Sequence, residues 1–117
     1  MESKKIIFQR IRRRVVDKYE LAEKYYSLLA TVNDISLTKR EIQLIAFIAI
    51  HGSISYVNNR QQFVTKYKTS EATINNLICN LKKLNIIIKE GGKIKINPNI
   101  LLDFNNTLKL EINLENE

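Results

Sequence analysis

Ser70, Glu71, Thr73, Asn75, Asn76, Asn80 and Lys83 follow one another along TSEATINNLICNLKK, and together they offer hydrogen bonding rather than catalysis. An Asn amide pairs bidentately with adenine, a Thr hydroxyl reaches a base or a phosphate, and a Glu carboxylate accepts from cytosine. Such residues in the first turns of a helix suit contact with base edges. Arginine, the commonest reader of guanine, is missing from this run, so any sequence readout is expected to be modest or biased towards A·T. Downstream, Lys89, Lys93 and Lys95 flank Gly91-Gly92, where point charges on a short hairpin would reach phosphates. Lysines on a hairpin also protect a sheet edge from aggregation, and the two roles are compatible.

Residues for other chemistry are sparse. His51 is the only histidine and ends an apolar stretch, where contact with a helix terminus explains it better than proton transfer. Cys79 lies mid-helix with no histidine at a suggestive spacing, so a buried or half-buried thiol is expected. A lone cysteine forms no internal disulfide, which points to a reducing compartment, most simply a bacterial cytoplasm. No His/Cys cluster has metal-ligand spacing, and no phosphate-cradling loop or nucleophile-elbow motif occurs. Neither enzymatic activity nor a cofactor is expected.

Composition agrees with a polyanion binder. Lys plus Arg number 19 against 12 Asp plus Glu, a formal net charge of +7. Part of that excess fits a chain rich in Ile, Asn and Lys, as AT-rich genomes encode. The 117 residues, 44% hydrophobic, suffice for one domain with a core. No apolar run reaches the roughly 18 residues of a membrane span, and no long apolar stretch follows the basic MESKKIIFQRIRRR, so neither a span nor a secretory signal is expected.

These residues need elements to hold them. Phe8, Ile11, Val15, Tyr19, Ala22, Tyr26 and Leu29 recur at steps of three and four, which predicts one long helix from residue 4 to about 30 with a basic first half. Phe8, Ile11, Val15, Tyr26 and Leu29 are candidates for packing across a homodimer axis, or against the chain's own domain. A lysine, Lys18, breaks the heptad companion series Ile11, Lys18, Tyr25, which argues against a regular coiled coil. Thr38 and Glu41 have capping-box spacing and open a helix that ends at His51-Gly52. Ser53 to Val57 reads as a short strand, and Asn58 as the cap of a helix over about 59 to 67. Ser70 caps a helix to about Leu84, with Ile74, Leu77, Ile78, Leu81 and Leu84 facing inward. Ile86–Glu90 and Lys93–Asn97 are strands joined by the glycine pair. Asn99 to Phe104 reads as a helical turn, and LKLEINL, residues 108–114, as a final half-buried strand.

The expected class is mainly α with a small β-hairpin (α+β): a winged helix-turn-helix with a long N-terminal helix and a C-terminal strand. Its parts are a basic helix (1–33), the winged unit (34–104) and a tail (105–117). TSEATINNLICNLKKLNIIIKEGGKIKIN resembles the recognition helix and wing of MarR-type regulators. That resemblance implies DNA-facing roles for Ser70, Thr73, Asn75 and Asn76, a wing role for Lys93, and a dimer. Two departures stand out: a basic residue common near Asn76 is absent, and Asn85 replaces the usual glycine after the helix. The step into INPNI is similar to RepL-type replication-initiation proteins, and small winged-helix proteins of tailed bacteriophages look similar too. The expected function is double-stranded DNA binding, as a transcriptional regulator or replication accessory. The alternative is a structural or packaging component of a phage particle, located in the virion and bound to phage structural proteins.

Overall fold

Thr38 and Glu41 close a reciprocal capping box: Glu41 N–H donates to the Thr38 hydroxyl at 3.2 Å, and Thr38 N–H to the Glu41 carboxylate at 2.8 Å. The box opens the central helix of the protein. The computed structural model describes residues 17–100 and residue 111. The elements are α1 (Lys18–Val32), α2 (Lys39–His51), α3 (Val57–Tyr67), α4 (Glu71–Lys83), β1 (Ile87–Glu90), β2 (Lys93–Ile96) and a 3₁₀ turn (Pro98–Ile100). The protein is thus mainly helical with a two-stranded antiparallel hairpin.

The core forms around α2, whose Leu44, Ile45, Ala46, Phe47 and Ile48 are all buried. A helix apolar on most sides must be covered on most sides. Ala22, Tyr26 and Ala30 of α1 cover one side, Phe63 of α3 and Ile74, Ile78 and Leu81 of α4 others, and Ile87 and Ile96 of the hairpin complete one cluster. Ala22 is the smallest residue of the α1 stripe and is fully buried, so it lets the backbones of α1 and α2 approach. Phe63 stacks edge-on against Phe47 at 5.4 Å between ring centres. Truncating such a buried ring costs about 3–5 kcal/mol.

Gly91 and Gly92 both have positive φ, 58° and 77°, the requirement of a two-residue turn whose twist matches its strands. The register pairs Ile87 with Ile96 and Glu90 with Lys93. Asn85, after α4, also takes a left-handed conformation (φ 58°), which Asn tolerates better than most residues. It therefore does the turning that a glycine would do there. The Asn97 amide donates to the Asn85 carbonyl at 2.9 Å and fixes the hairpin base to that turn.

Several expectations are corrected. Asp17 is an extended N-cap whose carboxylate accepts from Tyr19 N–H at 2.8 Å, so the helix begins at Lys18 and does not run unbroken from residue 4. Ser53–Val57 forms no strand. Only Ile54 N–H reaches the Ile94 carbonyl (3.2 Å), while the Ser55 hydroxyl accepts from Ile94 N–H (2.6 Å), so a side chain replaces the next ladder bond. Helix α3 starts at Val57 behind Tyr56, without a side-chain cap; the Asn58 cap was misplaced. Leu84 is 40% exposed rather than inward. Cys79 is exposed, because it lies one residue past Ile78 on the outer side of α4. Tyr26 is buried in the chain's own core and its hydroxyl donates to the Ile100 carbonyl, so it is not open to a second copy. Leu29 is partly buried against the same core. Phe8, Ile11 and Val15, and the strand over 108–114 apart from Glu111, lie outside the described residues, and Glu111 carries no regular secondary structure.

Candidate nucleic-acid interface

Helices α3 and α4 are joined by a tight turn. Lys68 ends α3 in the left-handed region (φ 52°), its N–H bonded to the Val64 carbonyl, and Ser70 opens α4 as N-cap. Arg40 of α2 braces this turn, donating to the Tyr67 carbonyl at 2.8 Å and so satisfying a carbonyl at the end of α3. The turn is thereby anchored to the core from below, and α4 leaves it along one direction.

The polar residues of α4 divide into engaged and open ones. The Ser70 hydroxyl accepts from Thr73 N–H at 3.2 Å and pairs with the Thr73 hydroxyl at 3.0 Å, so both serve the helix start. Asn80 donates to the carboxylate of Glu41, a residue only 4% exposed, and ties α4 to α2. Asn75 accepts from Arg60 of α3 at 2.8 Å. Glu71, Asn76 and Lys83 are exposed, and no hydrogen bond or ion pair engages their side chains among the described residues. Lys82 and Lys83 in the last turn oppose the negative end of the helix dipole.

The hairpin lysines divide in the same way. Side chains alternate across a strand, so Lys93 and Lys95 share one face and Lys89 lies on the other with Ile94. One surface of DNA cannot meet all three from a single face. Lys95 is paired with Glu90 at 3.0 Å, while Lys93 is exposed, its ammonium 5.9 Å from the ring centre of Tyr56. Tyr56 and Val57 are themselves 53% and 65% exposed, so a small apolar patch borders Lys93.

Arg60 was missed by the sequence reading. It belongs to α3, outside the polar run, and only the fold brings it beside Asn75. Its Nε donates to the Ile54 carbonyl at 3.0 Å and its Nη1 to Asn75. An arginine on a helix that otherwise reads as support gave no signal in the sequence.

His51 does not simply meet the end of its own helix. Its Nε2 lies 2.6 Å from the Tyr19 hydroxyl, and its ring stacks on Phe47 at 4.0 Å. Burial lowers its pKa, and the positive charges of Lys18 and Lys66 lower it further. Burial raises that of Tyr19, with Asp17 adding to the shift. Tyr19 and His51 share one hydrogen bond, whose donor is set by the imidazole tautomer. With Lys66 4.3 Å above the Tyr19 ring, these groups line an open groove of about 440 Å³ bordered by Asn58 and Gln62. Burial likewise raises the pKa of Tyr67, whose hydroxyl has no hydrogen-bond partner among the described residues.

Among the described residues no group of His, Cys, Asp and Glu could hold a metal ion, and no helix is long and apolar enough to cross a membrane. Comparison with protein-family models, curated proteins and solved structures gives no match to this chain.

Proposed function

We propose that the protein is a winged helix-turn-helix binder of double-stranded DNA with no enzymatic role, acting in a bacterial cytoplasm as a transcriptional regulator or replication accessory. The observation that carries this reading is the order α3, tight turn, α4, glycine hairpin, with the Ile54 segment bonded to the free edge of β2. That order sets one helix and one hairpin side by side, the pair that meets a duplex in this class of module. Helix α4 enters the major groove, Asn76 and Glu71 meet base edges, and Lys93 meets the backbone.

A homodimer belongs to the same proposal. Leu28 and Val32, one helical turn apart on α1, are 41% and 46% exposed and give an apolar strip for a second copy. A fluorescence-anisotropy titration against duplex DNA tests the binding reading; a duplex that fails to bind at low salt sinks it.

The rival reading is a phage structural or packaging component, favoured by the engagement of Ser70, Thr73, Asn75 and Asn80 within the chain. A uniform higher oligomer in light scattering, without DNA affinity, is the result that would select it.

A further inference from the structure

Arg60 and Asn75 constrain each other in a way that changes what this surface can recognise. A guanidinium has donors and no acceptor, so Asn75 must turn its amide oxygen towards Arg60. The amide nitrogen is then directed away from that contact. Bidentate pairing with adenine requires both the oxygen and the nitrogen of the amide, and here Arg60 already takes one lone pair of that oxygen and fixes how the amide is turned. Arg60 is in turn held at Nε by the Ile54 carbonyl, and with Nη1 given to Asn75 its Nη2 is the nitrogen left without a partner among the described residues. Asn75 is exposed and Arg60 half-buried, so the pair reaches the surface near the first turns of α4.

We infer that Arg60 and Asn75 form a donor-only clamp for paired hydrogen-bond acceptors on duplex DNA, either phosphate oxygens or the O6 and N7 atoms of guanine. The clamp rests on the DNA-binding reading and deepens it. It supplies the planar cationic group that α4 lacks in its own sequence, and it supplies it from the preceding helix. Paired acceptors on either target meet the two donors that these contacts leave open, Arg60 Nη2 and the Asn75 amide nitrogen. Two existing bonds hold the arginine, so little side-chain freedom remains to be lost on binding.

The test compares the wild-type protein with Arg60→Gln and Asn75→Ala, using an all-A·T duplex and a G·C-containing duplex at several salt concentrations. Thermal melts accompany each variant. Asn75→Ala is exposed and favours helix, so it remains informative if Arg60→Gln loosens α3. A clamp on phosphate predicts about a tenfold loss for Arg60→Gln on both duplexes, with the salt slope smaller by about one. A clamp on guanine predicts a loss of about fivefold or more confined to the G·C-containing duplex. Under either target Asn75→Ala loses affinity in the same pattern. A loss confined to the all-A·T duplex in Asn75→Ala would overturn the clamp, because it would restore Asn75 as an adenine reader. Unchanged binding in both variants would overturn it as well. Wild-type protein that binds neither duplex removes the DNA reading itself and the clamp with it; wild-type binding with unaffected variants removes only the clamp.

Discussion

The side-chain amide of Asn80 on α4 donates to the carboxylate of Glu41 on α2, and Glu41 is 4% exposed. The same carboxylate caps its own helix through Thr38 N–H. One buried acid therefore fixes both the start of the central helix and the seat of the proposed recognition helix. Removing the amide leaves a buried carboxylate oxygen short of a donor, which costs about 1–3 kcal/mol. Asn80→Ala is predicted to lower the urea midpoint accordingly with an unchanged slope. Asn76→Ala, on the exposed side, should stay within about 0.5 kcal/mol of wild type. DNA binding should show the reverse order, with Asn76→Ala weakening it at full stability.

The hairpin turn gives a second prediction. A side chain added at Gly91 or Gly92 meets no atom within 4 Å, so any cost comes from the positive φ alone. Gly91→Asn is predicted to be nearly neutral. Gly91→Val should destabilise by about 1–2 kcal/mol, because a β-branched residue resists the left-handed region. Denaturant melts of the two variants read the difference.

The partly buried position of His51 makes stability depend on pH. The folded pKa of His51 lies below the ordinary 6.5, because burial and the charges of Lys18 and Lys66 disfavour imidazolium. The unfolded chain then binds more protons in the window between the folded value and 6.5. The contribution is complete above that window and is lost as pH falls through it towards the folded value. Urea midpoints should fall on acidification from neutral pH, and His51→Gln should flatten the fall. Glu23, whose pKa is raised chiefly by burial, works in the opposite direction, so the comparison with His51→Gln isolates the histidine.

The two faces of the hairpin predict unequal lysines. Lys93 is exposed beside Tyr56, Lys95 is paired with Glu90, and Lys89 is on the opposite face. Lys93→Gln is predicted to weaken duplex binding most and to reduce the salt slope by about one. Lys89→Gln should have little effect. Anisotropy titrations of the three single variants at several salt concentrations give the ranking, and equal effects would contradict a single DNA-facing side.

Much of this fold is legible in the chain because the deciding signals are local. Capping by Thr38 and Glu41, the inward spacing of Ile74, Ile78 and Leu81, and the glycine pair each act within a few residues of themselves. The failures are of another kind. The alternating Ser53–Val57 segment reads as a strand, but the Ser55 hydroxyl occupies Ile94 N–H in place of a backbone partner. The apolar stripe across residue 17 reads as continuous, because it does not register that Asp17 is the extended cap of the helix starting at Lys18. The surface proposed for DNA was legible as a list of polar residues and not as a set of states. Whether Asn75 is open, and that Arg60 stands beside it, depends on how α3 docks against α4, and no local pattern carries that.

The most direct test is the affinity of the wild-type protein for a mixed-sequence duplex, measured by anisotropy from roughly 50 to 200 mM salt. Arg60 and Lys93 as phosphate or base contacts predict saturable binding at the low end and a logarithmic affinity that falls linearly with the logarithm of salt, at about 0.9 per phosphate neutralised. Absence of binding at the lowest salt, or affinity indifferent to salt, would contradict the account.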